Sequence, residues 1–214
     1  MKFTKQKAKE IVEILKNTYP DATCSLDFST PFEAVVAVVL SAQCTDERVN
    51  KTTPALFARC KSIQDFVDID IKELESLVHP CGFYRNKAAN IKACAKKVLE
   101  EFGGKVPSTM EKLLTLPGVG RKTINVFLSE FYNEPAFAVD THVERVSKRL
   151  DIVNNDASVI QVENTLMSLM PEENYHMGHH LLLFLGRYHC LSRNPKCDGC
   201  PLKKYCIYDK KPLN

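Results

Sequence analysis

The residues of this chain with the most evident chemistry are a lysine and an aspartate that follow a glycine-rich turn. The turn reads Leu-Pro-Gly-Val-Gly-Arg-Lys over residues 116–122, and Asp140 follows eighteen residues after Lys122. Gly118 and Gly120 permit positive φ and leave no Cβ in the way, so N–H groups of the next helix can face an anion such as a phosphate. At that helix N-terminus the dipole favours a neutral amine, which is a nucleophile. The alternative is a surface lysine that binds phosphate.

Two helices are expected to flank this turn. Ser108 and Glu111 have the spacing of a capping box, so the first helix is expected to begin at Ser108 and to stop at Pro117. Its inward-facing side chains are expected to be Met110, Leu113, Leu114 and Leu116. Apolar residues then recur at helical spacing, at Ile124, Phe127, Leu128 and Phe131. Lys122 therefore lies in the first turn of the second helix, beside Arg121.

Asp140 is expected to begin a helix of its own. Residues 136–139 are an extended apolar approach to it, and the helix after it is marked by Val139, Val143, Val146 and Leu150. An aspartate in this place accepts hydrogen bonds from the first N–H groups of the helix. Asp140 thus has a capping interpretation as well as a chemical one, and the two are compatible.

The rest of the chain favours helices as well. Thr30, Pro31 and Glu33 supply a cap, a first-position proline and a box partner for a helix that is apolar nearly all round, although its valines leave a strand possible. Other helical patterns cover about 4–19, 46–57, 63–67, 71–77, 85–102, 158–169 and 174–187, and residues 133–135 read as a linker. No convincing strand is found, so the predicted class is all-α.

Composition limits the classes of function. The 214 residues fit one large or two small domains, and the net charge of +3 does not by itself indicate nucleic acid. Basic residues do concentrate between Arg187 and Lys211, which suggests a surface that faces phosphates. The longest apolar run, Ala34 to Leu40, is too short to cross a bilayer, and no signal peptide is evident. A soluble, intracellular monomer is expected.

The nine cysteines divide into two groups. Five are scattered and read as small core residues in a reducing compartment: Cys24, Cys44, Cys60, Cys81 and Cys94. The other four have the spacing C-x6-C-x2-C-x5-C: Cys190, Cys197, Cys200 and Cys206. Disulfides are disfavoured in such a compartment, whereas zinc and an iron-sulfur cluster both suit four thiolates, and the spacing alone leaves these two open.

The glycine turn with Lys122, the Val139-Asp140-Thr141-His142 stretch and the four-cysteine loop together resemble the endonuclease III family of helix-hairpin-helix DNA glycosylases. The resemblance covers nearly the whole chain and implies two helical lobes with a DNA-binding cleft between them. One is a six-helix barrel over about 23–134, with the helix-hairpin-helix motif at about 108–131. The other is a cluster lobe made of 1–22 and 135–214, with the cluster loop at 190–206.

The same resemblance implies an activity and a role for each site residue. The enzyme would remove oxidised pyrimidines from double-stranded DNA in the bacterial cytoplasm and cut the abasic strand as an AP lyase. Lys122 would be the nucleophile and Asp140 the carboxylate that assists it, while the four cysteines would hold a [4Fe-4S] cluster. The residues expected to contact DNA are Gln43 and Phe83 as wedges, Gly118, Gly120 and Arg121 in the hairpin, and Arg193 and Lys196 in the cluster loop.

Two other functions compete with this one. An adenine-specific mismatch glycosylase shares the hairpin and the cluster, but its relatives usually lack the hairpin lysine and carry an additional C-terminal domain, whereas this sequence has Lys122 and ends eight residues after Cys206. A non-catalytic DNA-binding protein with a zinc-stapled tail belongs to a different class. That alternative leaves the pairing of Lys122 with Asp140 unexplained.

Overall fold

The fold consists of helices joined by short loops. The structure is a computed structural model that describes residues 3–132 and 134–208, so Asn133 of the expected linker and Lys210 and Lys211 of the basic segment lie outside the described residues. Within the described residues there are helices and no strand, which confirms the all-α prediction. Over the same residues, no helix has both the length and the apolar character needed to cross a membrane.

The chain separates into two compact units, as the two-lobe prediction requires. One unit contains residues 25–132 and the other contains residues 3–24 together with 134–208. In chain order the α-helices of the described residues are α1 (Lys5–Thr18), α2 (Pro31–Ser41), α3 (Asp46–Arg59), α4 (Ile63–Asp68), α5 (Ile71–Val78), α6 (Tyr84–Phe102), α7 (Met110–Leu113), α8 (Arg121–Tyr132), α9 (Thr141–Arg149), α10 (Val159–Leu169) and α11 (Tyr175–Tyr188).

The unit of residues 25–132 is organised around α2. Thr30 and Glu33 form the expected capping box, and Pro31 occupies the first helical position. Every residue from Ala34 to Leu40 is buried, and α2 packs against α3, α6 and α8. A helix that is apolar on all sides can be stable only when other helices surround it, which accounts for valines being helical here against their intrinsic preference. The strand alternative for this segment is therefore wrong.

The other unit is built from α1 and the three C-terminal helices. Its core contains Ile11 and Leu15 from α1, Val143 and Val146 from α9, and further side chains from α10 and α11. The α1 helix is capped by Thr4, whose side chain accepts a hydrogen bond from the Lys7 N–H. The N-terminal segment thus completes a core whose other helices lie far along the chain.

The helix before the glycine turn differs from its prediction. It begins at Met110 rather than at Ser108, its N-cap is Thr109, and no side chain hydrogen-bonds at that cap. Leu113 and Leu116 are buried as expected, but Leu114 is 50% exposed. A helix of four residues offers one narrow buried face, so only some of the four apolar side chains can point inward.

Candidate functional site

The glycine turn is held against α6 by a close backbone approach. Gly118 has φ of 76°, and a Cβ added to it would lie 2.7 Å from the Cβ of Asn90. Only glycine fits such a position without strain. Gly120 differs from expectation, because its φ is not positive and a Cβ there would meet nothing within 4 Å. The space beside Gly120 is open, and its carbonyl accepts the N–H of Ile124 at 3.0 Å, as an N-cap does.

Lys122 occupies the second position of α8, directly after this turn. Its side chain is exposed, and the preceding residue, Arg121, is half-buried. The first turn of α8 contains no acidic residue. The first N–H groups of any helix lack intrahelical acceptors and carry a partial positive charge. Two cationic side chains and this helix end therefore form a positive site that suits a phosphate.

Asp140 caps α9 in the way the sequence predicts. Its Oδ1 accepts the N–H of His142 at 2.9 Å and the N–H of Val143 at 2.8 Å. The carboxylate is half-buried, and both capping bonds use the same oxygen. Capping therefore fixes the orientation of the carboxylate and does not require Oδ2.

The two predicted wedge residues share an unusual backbone conformation. Gln43 has φ of 53° and Phe83 has φ of 47°, the left-handed region that non-glycine residues rarely adopt. Both side chains are exposed, Phe83 by 65%. A side chain as exposed as that of Phe83 is not a core contact. Strained residues of this kind persist only where the surrounding structure holds them, and they cluster at functional sites.

The four C-terminal cysteines line one small cavity. Cys190, Cys197, Cys200 and Cys206 face it together with Arg149 and residues of the loop between the first two cysteines. Burial raises the pKa of the Cys200 thiol, and the neighbouring cysteines raise it further. Four thiolates this close together would repel one another unless a metal centre neutralised them, so the donor set fits a cluster.

Arg149 anchors the cysteine loop to α9. Its guanidinium donates to the Leu191 carbonyl at 2.6 Å, to the Ser192 carbonyl at 3.1 Å and to Cys190 Sγ at 3.3 Å. The two loop residues predicted to contact DNA, Arg193 and Lys196, are exposed. Their side chains are thus available to an external anion.

The five scattered cysteines only partly match their prediction. Cys60, Cys81 and Cys94 are buried, whereas Cys24 and Cys44 are half-buried. The core interpretation is therefore wrong for Cys24 and Cys44, which lie in the loops before and after α2. A cysteine in a loop has neighbours on fewer sides than one on an inward helix face.

Sequence reasoning overlooked Lys87, which is 5% exposed on α6. Its Nζ donates to the carbonyls of Leu40 and Cys81, both at 2.8 Å. A signal was present in the sequence, because Lys87 shares the inward stripe of α6 with Ala88, Ile91 and Cys94. A lysine on an apolar stripe predicts a buried ammonium with polar partners, since lysines are rarely buried without partners.

Comparison with known proteins identifies the family. A family model described as HhH-GPD superfamily base excision DNA repair protein matches residues 36–172, and one described as iron-sulfur binding domain of endonuclease III matches residues 190–206. Endonuclease III of Bacillus subtilis (strain 168) is 50% identical over 193 residues, which are 90% of this chain and 88% of that one. The chain belongs to the endonuclease III family. Endonuclease III of Escherichia coli (strain K12) is 38% identical and covers 98% of this chain and 99% of its own.

Solved structures agree with this assignment. A structure described as a trapped endonuclease III-DNA covalent intermediate superposes with a TM-score of 0.93 at 45% identity, covering 99% of this chain and 100% of that one. A thermostable thymine-DNA glycosylase superposes with a TM-score of 0.84 at 23% identity, covering 96% of this chain and 98% of its own, and shares the fold. As an endonuclease III family member, the chain is a DNA-binding base excision repair enzyme with DNA glycosylase and AP lyase activity.

Family membership also decides between the two metals that the cysteine spacing leaves open. The match over residues 190–206 is to an iron-sulfur binding domain, and it begins and ends at the first and last of the four cysteines. The predicted [4Fe-4S] cluster is confirmed, and the zinc-stapled alternative is not supported. When bound, the cluster joins four points of a loop that contributes few side chains to the core of its unit.

Proposed function

We propose that this member of the endonuclease III family removes oxidised pyrimidines such as thymine glycol from double-stranded DNA, with Lys122 as the nucleophile and Asp140 as the assisting carboxylate. The observation that carries the proposal is the position of Lys122, an exposed amine at the positive end of α8 immediately after the Gly118 turn. A related endonuclease III, 45% identical, is described as trapped in a covalent intermediate with DNA. A covalent intermediate requires a nucleophile, and Lys122 has the chemistry for it.

The proposed reaction uses two groups of this chain in turn. The neutral amine of Lys122 attacks the sugar C1′, and the damaged base leaves with a proton as its bond to C1′ breaks. The C1′–O4′ bond then opens, O4′ takes a proton as a hydroxyl, and the product is an imine between Nζ and C1′. The Asp140 carboxylate stabilises positive charge on the sugar and assists proton transfer. The imine acidifies the C2′ proton, and its removal expels the 3′ phosphate by β-elimination and cuts the strand.

We propose that Gln43 and Phe83 fill the space that the extruded nucleotide leaves in the duplex. Extrusion costs a few kcal/mol of stacking and pairing. An exposed aromatic side chain and an exposed amide on two strained segments suit the insertion of side chains between bases.

The remaining contacts are assigned to the phosphate backbone and to the cluster. Gly118, Gly120 and Arg121 bind a phosphate at the N-terminus of α8, where the first turn lacks a competing acid. Arg193 and Lys196 bind phosphates from the cysteine loop, supported by their exposure and charge. The cluster ligands are Cys190, Cys197, Cys200 and Cys206, which line one cavity.

The last parts of the proposal concern the protein as a whole. The unit of residues 25–132 corresponds to the six-helix barrel domain with the helix-hairpin-helix motif, and the other unit corresponds to the cluster domain. The protein acts as a monomer in the bacterial cytoplasm. These assignments rest on the family and on the division into two compact units.

Borohydride trapping tests the nucleophile directly. The wild-type protein should form a reduced covalent adduct with a duplex that contains an abasic site, and Lys122→Ala should form none. Lys72→Ala is the matched control, because Lys72 is also an exposed lysine at the second position of a helix in the same unit, but its partner is Glu75. Absence of the adduct from the wild-type protein, or its persistence in Lys122→Ala, would refute the assignment.

A further inference from the structure

Lys87 is buried in a place where a charge is costly. Lys87 is 5% exposed, and the two hydrogen bonds of its ammonium go to backbone carbonyls rather than to a carboxylate. Burial lowers the pKa of Lys87, while the nearby Cys44 and Cys81 act in the opposite direction. Stability alone does not explain such a buried charge, because replacing it with an apolar side chain of similar size often leaves a protein equally stable or more stable.

The two carbonyls that Lys87 binds lie just before the two strained residues. Leu40 is the second-last residue of α2 and precedes Gln43 by three positions. Cys81 ends a short 3-10 turn and precedes Phe83 by two positions. Gln43 and Phe83 both have positive φ and exposed side chains. One ammonium on α6 therefore fixes the backbone of both segments to a common point.

We propose that Lys87 is a positioning residue for base extrusion, which holds the Gln43 and Phe83 segments at a fixed separation so that their side chains enter the duplex together. The inference rests on the proposed function, because it requires that these two residues fill the vacated stack. Lys87 does not touch DNA in this role and acts through the Leu40 and Cys81 carbonyls. An ammonium suits the role because it offers three N–H donors on a long side chain and can bind two acceptors on separate segments.

The helix that carries Lys87 also provides a matched control. Lys92, five residues further along α6, is half-buried and, like Lys87, donates to two backbone carbonyls, those of Val67 and Ile69. Those carbonyls lie at the end of α4, where no described residue has a positive φ. Lys87→Met and Lys92→Met thus each remove two hydrogen bonds from an ammonium to backbone carbonyls. Only Lys87→Met removes bonds to the segments that carry Gln43 and Phe83.

The experiment compares two reactions that differ in their need for extrusion. Single-turnover base excision is measured on a duplex that contains thymine glycol, and borohydride trapping is measured on a single-stranded abasic oligonucleotide, in which no base has to be displaced from a stack. Lys87→Met should slow duplex excision tenfold or more and leave single-strand trapping within about twofold of wild type. Lys92→Met should stay within about twofold of wild type in both reactions. Parallel losses in both reactions, or equal behaviour of the two variants, would overturn the proposal.

A double-mutant cycle identifies the route of the effect. If Lys87 acts through the two wedge side chains, Lys87→Met should cause less than about a twofold further loss in a Gln43→Ala/Phe83→Ala background. The same fold loss in both backgrounds would assign Lys87 a merely structural role and overturn the proposal. Failure of Lys87→Met to fold, while Lys92→Met folds, would do so as well.

The outcomes separate this inference from the proposed function. A wild-type protein that forms no adduct with an abasic duplex refutes the assignment of Lys122 as the nucleophile. If the Gln43→Ala/Phe83→Ala variant is as active as wild type on duplex DNA, the wedge assignment is refuted, and the proposed role of Lys87 is refuted with it. If the Gln43→Ala/Phe83→Ala variant excises slowly and Lys87→Met excises normally, only the proposed role of Lys87 is refuted.

Discussion

Asp140 is expected both to cap α9 and to assist catalysis, and different substitutions at this position separate the two roles. As the N-cap of α9, it accepts two backbone hydrogen bonds through Oδ1. As the proposed catalytic carboxylate, it needs its negative charge. Asparagine and aspartate are about equally good N-caps, whereas alanine is a poor one. Asp140→Asn therefore keeps the cap and removes the charge, and Asp140→Ala removes both.

The expected stability effects follow from the two contributions of the cap. Loss of an N-cap side chain costs typically about 1 kcal/mol, and loss of a negative charge at a helix N-terminus costs about 0.3–1 kcal/mol. Asp140→Ala should thus destabilise the protein by roughly 1–2 kcal/mol and Asp140→Asn by about 0.5 kcal/mol. At about 2–4 °C per kcal/mol for a chain of this length, Asp140→Ala should lower Tm by roughly 2–8 °C.

The expected effects on catalysis do not follow the same order. A positioned acid or base contributes about 10²–10⁴-fold, so both Asp140 variants should excise the damaged base at least roughly 100-fold more slowly than wild type. Ser158→Ala is the control, because Ser158 caps α10 in the same unit through a capping box and has no proposed role in catalysis. It should lose about 1 kcal/mol of stability and keep its activity.

The assays are thermal unfolding and single-turnover excision on duplex DNA. The reasoning is refuted if Asp140→Asn keeps wild-type activity, since the charge would then be irrelevant and Asp140 would only cap α9. It is equally refuted if activity falls in proportion to Tm across the two Asp140 variants and Ser158→Ala. Unchanged stability in Asp140→Ala would show that the two capping bonds contribute little.

Two further predictions concern single residues of the unit that carries the hairpin. Gly118→Ala should lower the free energy of unfolding, measured by urea denaturation, by about 1–3 kcal/mol, because it strains a positive φ and sets a Cβ 2.7 Å from Asn90. Gly120→Ala should cost less than about 1 kcal/mol, because its Cβ meets nothing within 4 Å and only the preference for glycine over alanine at an N-cap is lost. Equal effects would contradict the geometry. Burial raises the pKa of Cys94 to about 12, so at pH 8 only roughly one thiol in ten thousand is ionised. Maleimide should therefore leave Cys94 unmodified in the native protein while it labels the half-buried Cys44. Peptide mass spectrometry would show both results.

Local hydrogen-bond chemistry explains why several elements were predictable from the sequence. The cap of α2 by Thr30, Pro31 and Glu33 and the cap of α9 by Asp140 depend only on residues within one helical turn. The same logic fails at Ser108, where the capping-box spacing is present but the structure begins the helix two residues later. A helix of four residues gains little from a cap, so packing of Leu113 and Leu116 decides its position instead.

The features of the site that the sequence did not reveal are those imposed by distant parts of the chain. Nothing local to Gln43 or Phe83 favours positive φ, since neither is glycine, asparagine or aspartate. Each segment therefore needs support from outside itself, and the Lys87 ammonium supplies bonds to both. Lys87 lies 44 residues after Gln43 in the sequence, so the sequence pattern shows only a cation on an apolar stripe of α6 and does not indicate which segments it contacts. A buried charge without a carboxylate partner, placed beside two strained segments, indicates positioning more than stability.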